Sequence, residues 1–259
     1  MSFFSKVMAS VGIGAAKVDT LLEKRTYQPG EEMNGIIRIQ GGQVQQEIEG
    51  IDLSIMTYYI KEVDDRKVRQ NVELGKVRAT PSLVIAPGET KEEAFSFRLP
   101  LTTPLSIGRT PVWVQTKADI RSAIDPTDQD RIEVVPAPIM SAVIDGFERL
   151  GFRLREVETV YAPRLGGAFP FVQEFEWVPS GGSYRGRLDE VELVFLRQQG
   201  DGLELLLQVD RRATSIMGLF AEAMDMDESF VRMTVTEAEA ANGVDYVAGL
   251  LDQVIGRYA

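Results

Sequence analysis

The chain has 259 residues, 44% of them hydrophobic, and its 28 basic and 39 acidic side chains give a net charge of −11. That is apolar material for one large or two medium cores, no apolar run approaches a membrane span, and the negative balance argues against nucleic acid as the main ligand. With no histidine and no cysteine, histidine-dependent catalysis, imidazole or thiolate metal ligation and disulfide frameworks are all excluded.

At the N-terminus Phe3, Val7 and Val11 recur every four residues and Gly12 and Gly14 stop them, which predicts a short amphipathic helix. The segment lacks the charged start and unbroken apolar stretch of a secretory signal, so a cytoplasmic protein is expected. Phe3, Phe4, Val7, Met8 and Val11 could enter a membrane interface, but Lys6 alone supplies positive charge. Packing on the protein's own body is favoured over peripheral membrane contact.

From about residue 15 to 136, short β-patterned runs alternate with Gly, Pro, Asn and Asp clusters at the spacing of a sandwich. Strands are predicted near AKVDTLLE, GIIRIQ, EIEGIDLSIMTYYI, LVIAP, EEAFSFRLP, TPVWVQTKADI and RIEVVP. In GIIRIQ, Ile37 and Ile39 share one face while Arg38 and Gln40 take the other. The phase change near Gly50 predicts a bulge. The two Pro-Gly-Glu triplets, at Pro29 and Pro87, read as turns, with Glu31 and Glu32 solvated rather than catalytic. The stretch KEVDDRKVRQNVE carries Lys61, Glu62, Asp64, Asp65, Arg66, Lys67 and Arg69 around a hairpin tip, a candidate surface for protein docking. Asp125, Asp128, Asp130 and Glu133 lack calcium-hand register and read as a polar hairpin.

PAPI, residues 136–139, is the expected linker. A second block from about Ile139 to Thr236, including VIDGFERLGFRLREVETVY, FVQEFEWVP, DEVELVFLR and GLELLLQVD, also reads as sheet. Ile216, Phe220 and Met224 predict a short inserted helix near 213–226, and Asp225, Asp227 and Glu228 a solvated loop after it. Thr236 and Glu239 have capping-box spacing, and Val244, Val247, Leu251, Val254 and Tyr258 follow at helical intervals, so a helix should close the chain. Its apolar stripe should dock on its own domain, with a homodimer as the second choice. Residues 1–140 hold 17 basic and 19 acidic side chains against 11 and 20 thereafter, and all eight lysines lie at or before Lys117. The two halves thus differ in character.

The combination YQPGEEMNGIIRI, IAPGETKEEAFSFRLPLTTPLSIG and PVWVQTKADI resembles the N-terminal half of an arrestin-type sandwich. More narrowly, SFFSKVMASVGIGAAKVDTLLEK, YYIKEVDD, IGRTPVWVQT, PFVQEFEWVP and VDRRA resemble the bacterial sporulation-control family of arrestin-like proteins called stage-zero M, up to about Ser229. The resemblance implies a mainly β chain of two tandem arrestin-like, immunoglobulin-like β-sandwiches with short helices at its ends. It also implies a regulatory, non-catalytic role in development, division or cell shape. The phosphate-sensing charged cluster of arrestins has no matching motif here and is not carried over.

The expected domains are 1–137, 138–236 and a C-terminal helix over 237–259, with protein partners and neither cofactor nor metal. The competing class is a carboxylate hydrolase, glycosidase-like, built on Glu174 and Glu176 beside Trp177. Their alternation with Phe175 and Trp177 reads instead as the outer face of a strand.

Overall fold

The computed structural model describes residues 15–64, 66–121, 124–210 and 230–259. The N-terminal helix with Phe3, Phe4, Val7, Met8 and Val11, the inserted helix near 213–226 and the acidic loop Asp225–Glu228 lie outside the described residues. The described chain is mainly β and divides into two compact units. One holds the residues up to Thr57, Asn71–Thr103 and Pro111–Val134; the other holds Tyr58–Gln70, Pro104–Thr110 and the residues from Val135 onward.

The first unit contains β1 (Lys17–Leu22), β2 (Thr26–Tyr27), β3 (Glu32–Gln40), most of β4 (Gln46–Val63) and of β5 (Arg66–Thr80), β6 (Leu83–Ile85), β7 (Thr90–Arg98), β8 (Val112–Ile120) and β9 (Thr127–Val134). Antiparallel β1, β3 and β7 form one sheet; β4 pairs with β6 and β8, and β9 with β8 and β2, to form the other. The alternation in β3 sends Met33, Ile37 and Ile39 into the core and Arg38 and Gln40 outward. Ile51, Leu53, Ile55, Val112, Val114, Ile132 and Val134 supply the opposing layer. Thr20 and Thr116 bond between the sheets at 2.5 Å, and the Thr20 N–H donates to Asp128 Oδ2 at 2.8 Å. A register shift between Ile48 and Gly50 is the expected bulge.

Both Pro-Gly-Glu triplets make the same turn. Glu31 N–H donates to the Gln28 carbonyl and Glu89 N–H to that of Ala86, both at 3.1 Å, around Gly30 and Gly88 at φ of 81° and 67°. Each glutamate then folds back: Glu31 accepts the Gln28 N–H at 2.9 Å and Glu89 the Ala86 N–H at 2.7 Å. They lock the turns as well as meeting solvent.

The second unit is built on β10 (Phe152–Tyr161), β11 (Phe171–Pro179), β12 (Glu190–Gln199), β13 (Gly202–Asp210) and β14 (Phe230–Thr236), paired antiparallel in sequence order. Helix α1 (Pro138–Arg149) precedes them, and α2 (Glu237–Ala241) and α3 (Val244–Ile255) follow. Residues Val143–Arg149, expected as strand, are helix. Pro138 opens it at the first turn, where its missing N–H goes unneeded, and Ile139, Met140, Val143 and Phe147 form one buried stripe. Two prolines that read as a linker thus include a helix start. Phe147 stacks on Trp177 at 4.9 Å and meets Phe152 edge-on at 5.6 Å. The end of the chain is two helices rather than one, with Thr236 and Glu239 forming the expected capping box.

Candidate functional site

The distal end of the β4–β5 hairpin, Tyr58–Gln70, belongs to the second unit, where β10 and β11 seat it. Ile60 bridges Val160 in parallel, Thr159 Oγ1 donates to the Tyr58 carbonyl at 2.7 Å, and the Tyr58 hydroxyl donates to the Arg109 carbonyl at 2.8 Å. The 104–110 loop is held in turn by Gln173, whose side chain accepts the Leu105 N–H and donates to the Leu105 carbonyl, each at 2.7 Å. Tyr59 is stacked against Tyr161 at 5.9 Å and Phe171 at 5.6 Å, with Phe169 next to Phe171. Consecutive tyrosines on a strand point to opposite faces, so Tyr58 and Tyr59 grip from both sides.

Three of the four basic residues expected at this tip make anchoring contacts. The Lys61 ammonium lies 4.5 Å from the Tyr161 ring centre, Lys67 bonds Glu158 at 3.1 Å, and the Arg69 guanidinium lies 4.8 Å from the Tyr58 ring centre. Glu158 holds the Lys67 ammonium above the ordinary lysine range. Glu62, Asp64 and Arg66 are exposed, as are Val63 and Val68, 45% and 47% accessible. Asp64 turns the chain at φ 50°, a conformation aspartate tolerates better than most residues. Asp65 lies outside the described residues. Sequence reasoning missed the aromatic seat, although the Tyr58–Tyr59 pair and the aromatic end of VETVY were its visible trace.

One face of the second unit's sheet is acidic. Glu156, Glu176, Glu192 and Gln208 are opposite one another across four strands, and Glu158 opposes Glu174 in the next row. Glu174, read from the sequence as part of the outer face of a strand, is only 9% accessible, and the Glu176 side chain only 14%. Glu190 and Glu192 are buried as well. The outward reading of these glutamates is therefore corrected: alternation tells the two faces of a strand apart, but along β11 and β12 the glutamate face is buried too, and it meets solvent only at β10. Trp177 is fully buried against Phe147 and offers no surface for stacking a sugar.

Arg155 sits at a register irregularity in β10 that turns it toward this face, where it pairs with Glu176 and, at 2.5 Å, with Glu190. Burial, then the charges of Glu158, Glu190 and Glu156, push the Glu174 carboxyl up to about 6, although Glu192 beside it opposes the rise. A cleft of about 250 Å³, whose polar lining is Arg109, Arg155 and Glu156, opens beside the acidic row.

The acidic hairpin of the first unit is dispersed into separate roles. Asp125 pairs with Lys117 at 2.9 Å and accepts the Ile120 N–H, Asp128 receives Thr20, and Glu133 accepts the Thr26 hydroxyl. Among the described residues no group of three or more carboxylates is arranged to hold a metal ion. At the chain's end Val247 and Leu251 are buried and Val244, Val254 and Tyr258 half-buried; α3 packs on α1, where Leu251, Ala248 and Val247 approach Gly146. Tyr184 donates to the Asp252 carboxylate at 2.5 Å, fixing the helix further. No helix of the described residues is long and apolar enough to cross a membrane.

Residues 4–213 match the family described as SpoOM protein. The chain is 43% identical over all of its 259 residues, and over the whole of the relative, to the sporulation-control protein Spo0M of Bacillus subtilis strain 168. It superposes on the crystal structure of Spo0M from that organism with a TM-score of 0.86 at 40% identity, covering 95% of this chain and 100% of the other.

Proposed function

For a chain that belongs to the SpoOM protein family, we propose a cytoplasmic, non-catalytic regulator of bacterial development, division or cell shape, built from arrestin-like β-sandwiches and acting as a scaffold for protein partners. The name of its relative, a sporulation-control protein, supports a regulatory role. The observation that carries the mechanism is the 58–70 hairpin tip. Its base is held by aromatic stacking and by Lys61, Lys67 and Arg69, while Glu62, Val63, Asp64, Arg66 and Val68 are exposed. A rigid base carrying apolar and charged groups of both signs suits a protein surface, because fixed side chains lose little entropy on binding. The stripe of α3 is covered within its own unit, so a homodimer through this helix would use its outward side around Tyr246.

The test is affinity capture with the full chain carrying Glu62→Lys, Asp64→Lys and Arg66→Glu together. The expected result is loss of specific partners with an unchanged melting temperature. Retention of every partner overturns the assignment of the tip.

A further inference from the structure

We propose that the cleft between the 104–110 loop and β10 binds a small zwitterion, an apolar α-amino acid, whose carboxylate pairs with Arg109 and whose ammonium pairs with Glu156.

The cleft is preformed. Gln173 bonds both main-chain groups of Leu105, and the Tyr58 hydroxyl donates to the Arg109 carbonyl, so the loop is tied at both ends. Between these ties it lies so close to β10 that a Cβ on Gly108 would come 2.9 Å from the Val157 carbonyl oxygen. Beside this contact loop and strand part to leave about 250 Å³, lined by Ile107, Gly108 and Arg109 on one wall and by Leu154, Arg155, Glu156 and Val157 on the other. Sites for drug-sized ligands run from about 300 to about 1,000 Å³, so the occupant is smaller.

The two walls carry opposite charges that do not meet. Arg109 and Glu156 are both exposed and line the same space, yet among the described residues neither side chain forms a hydrogen bond or ion pair, with each other or with any other residue. The guanidinium donors and the acceptor carboxylate are thus available to a ligand. The third charge is already compensated: Arg155, brought to this face by the register irregularity in β10, pairs with Glu176 and, at 2.5 Å, with Glu190.

This arrangement disfavours simpler occupants. A plain anion meets Glu156 and the glutamates behind Arg155 in a chain of net charge −11, and a plain cation meets Arg109 and Arg155. A molecule carrying both charges satisfies both walls: the guanidinium fork matches a carboxylate in bidentate geometry, and Glu156 accepts from an ammonium. Ile107 and Leu154, half-buried, and the buried Val157 supply apolar surface for the rest of the molecule. An α-amino acid with an aliphatic side chain combines these three features at the size of the cleft. The site is separate from the exposed hairpin tip, and partner capture through that tip can fail while the cleft still binds.

Calorimetric titration of the full chain with L-leucine tests this, alongside leucinamide, which lacks the carboxylate, and isocaproate, which lacks the ammonium. Leucine should bind with a Kd of about 1 mM, the range open to so small a ligand, and each analogue at least about tenfold more weakly, the loss a charged hydrogen bond represents. Arg109→Gln and Glu156→Gln should each weaken leucine by a similar factor and leave the melting temperature unchanged, because both side chains are exposed. The amide resonances of Gly108 and Val157 should shift with leucine and saturate, which locates the binding without any substitution. No saturable binding at about 20 mM leucine overturns the proposal. Binding of either analogue as tight as that of leucine overturns it as well, since one charge or apolar contact alone would then suffice. So does leucine binding that either variant retains in full.

Discussion

The stretch YQPGEEMNGIIRIQGG shows how single residues build this molecule. Gly35 lies in β3 between β1 and β7, and a Cβ there would be 2.6 Å from the Leu21 carbonyl oxygen and 2.7 Å from the Phe95 ring. Backbone cannot move aside as a side-chain tip can, so Gly35→Ala should destabilise by about 2 kcal/mol or more in urea unfolding. Gly88→Ala is the control. Its φ of 67° is strained for any other residue but nothing lies within 4 Å of its Cβ position, so it should lose only about 1 kcal/mol. Glu31 is held below the ordinary carboxylate range by its bonds to Lys24 and the Gln28 N–H. A depressed carboxyl stabilises the fold above its unfolded value and loses that contribution as pH falls through the folded one. Because Glu31 is only half-buried and a glutamine still accepts from Gln28, Glu31→Gln should change stability by less than about 1 kcal/mol.

At the scale of elements, the closing helices are where local signal and packing agree best. The capping box at Thr236 satisfies two backbone groups that would otherwise lack partners, and Thr236→Ala should cost about 1 kcal/mol by the same urea measurement. Leu251 is fully buried where α3 meets α1, and Leu251→Ala should cost about 2–5 kcal/mol through lost burial and the cavity left behind. Tyr246, 47% accessible on the other side of α3, should tolerate alanine within about 0.5 kcal/mol. A helix whose stripe served only a partner would show the opposite pattern, with Leu251→Ala altering oligomeric mass but not monomer stability.

For the whole molecule, six of the twenty acidic side chains of the second half, Glu156, Glu158, Glu174, Glu176, Glu190 and Glu192, converge on one sheet face. The first unit carries a smaller counterpart. Burial, then the Asp128 charge and hydrogen bond and the Asp19 charge, raise Asp130 to about 6 from an ordinary 3.8. Its contribution is present below the unfolded value and lost as pH rises through the folded one. Asp130→Asn should therefore raise the melting temperature at about pH 7.5 and change it little near pH 4, as read by calorimetry. Both units thus hold carboxyls whose protonation favours the fold, and the chain should be more stable in mild acid than its net charge alone suggests.

Legible in the chain alone were the mainly β character, the inward set of Ile37 and Ile39, the bulge at Gly50, the two Pro-Gly-Glu turns and the capping box that opens the closing helices, though not their division in two. These follow from neighbours in the chain: a period of two, a fixed proline φ, a glycine at positive φ, a cap three residues from its partner. Local pattern misread Val143–Arg149, because an apolar stretch between a proline and a glycine fits a strand as well as a buried helix until something packs on it; Phe147 on Trp177 decides for the helix. What becomes of the charges is set by long-range packing. Lys67 reaches Glu158, 91 residues away, and Glu174 is buried beside Glu192. Strand alternation shows which glutamates share a face, but whether that face meets water or protein depends on long-range strand order and on what covers the sheet, which no local pattern encodes.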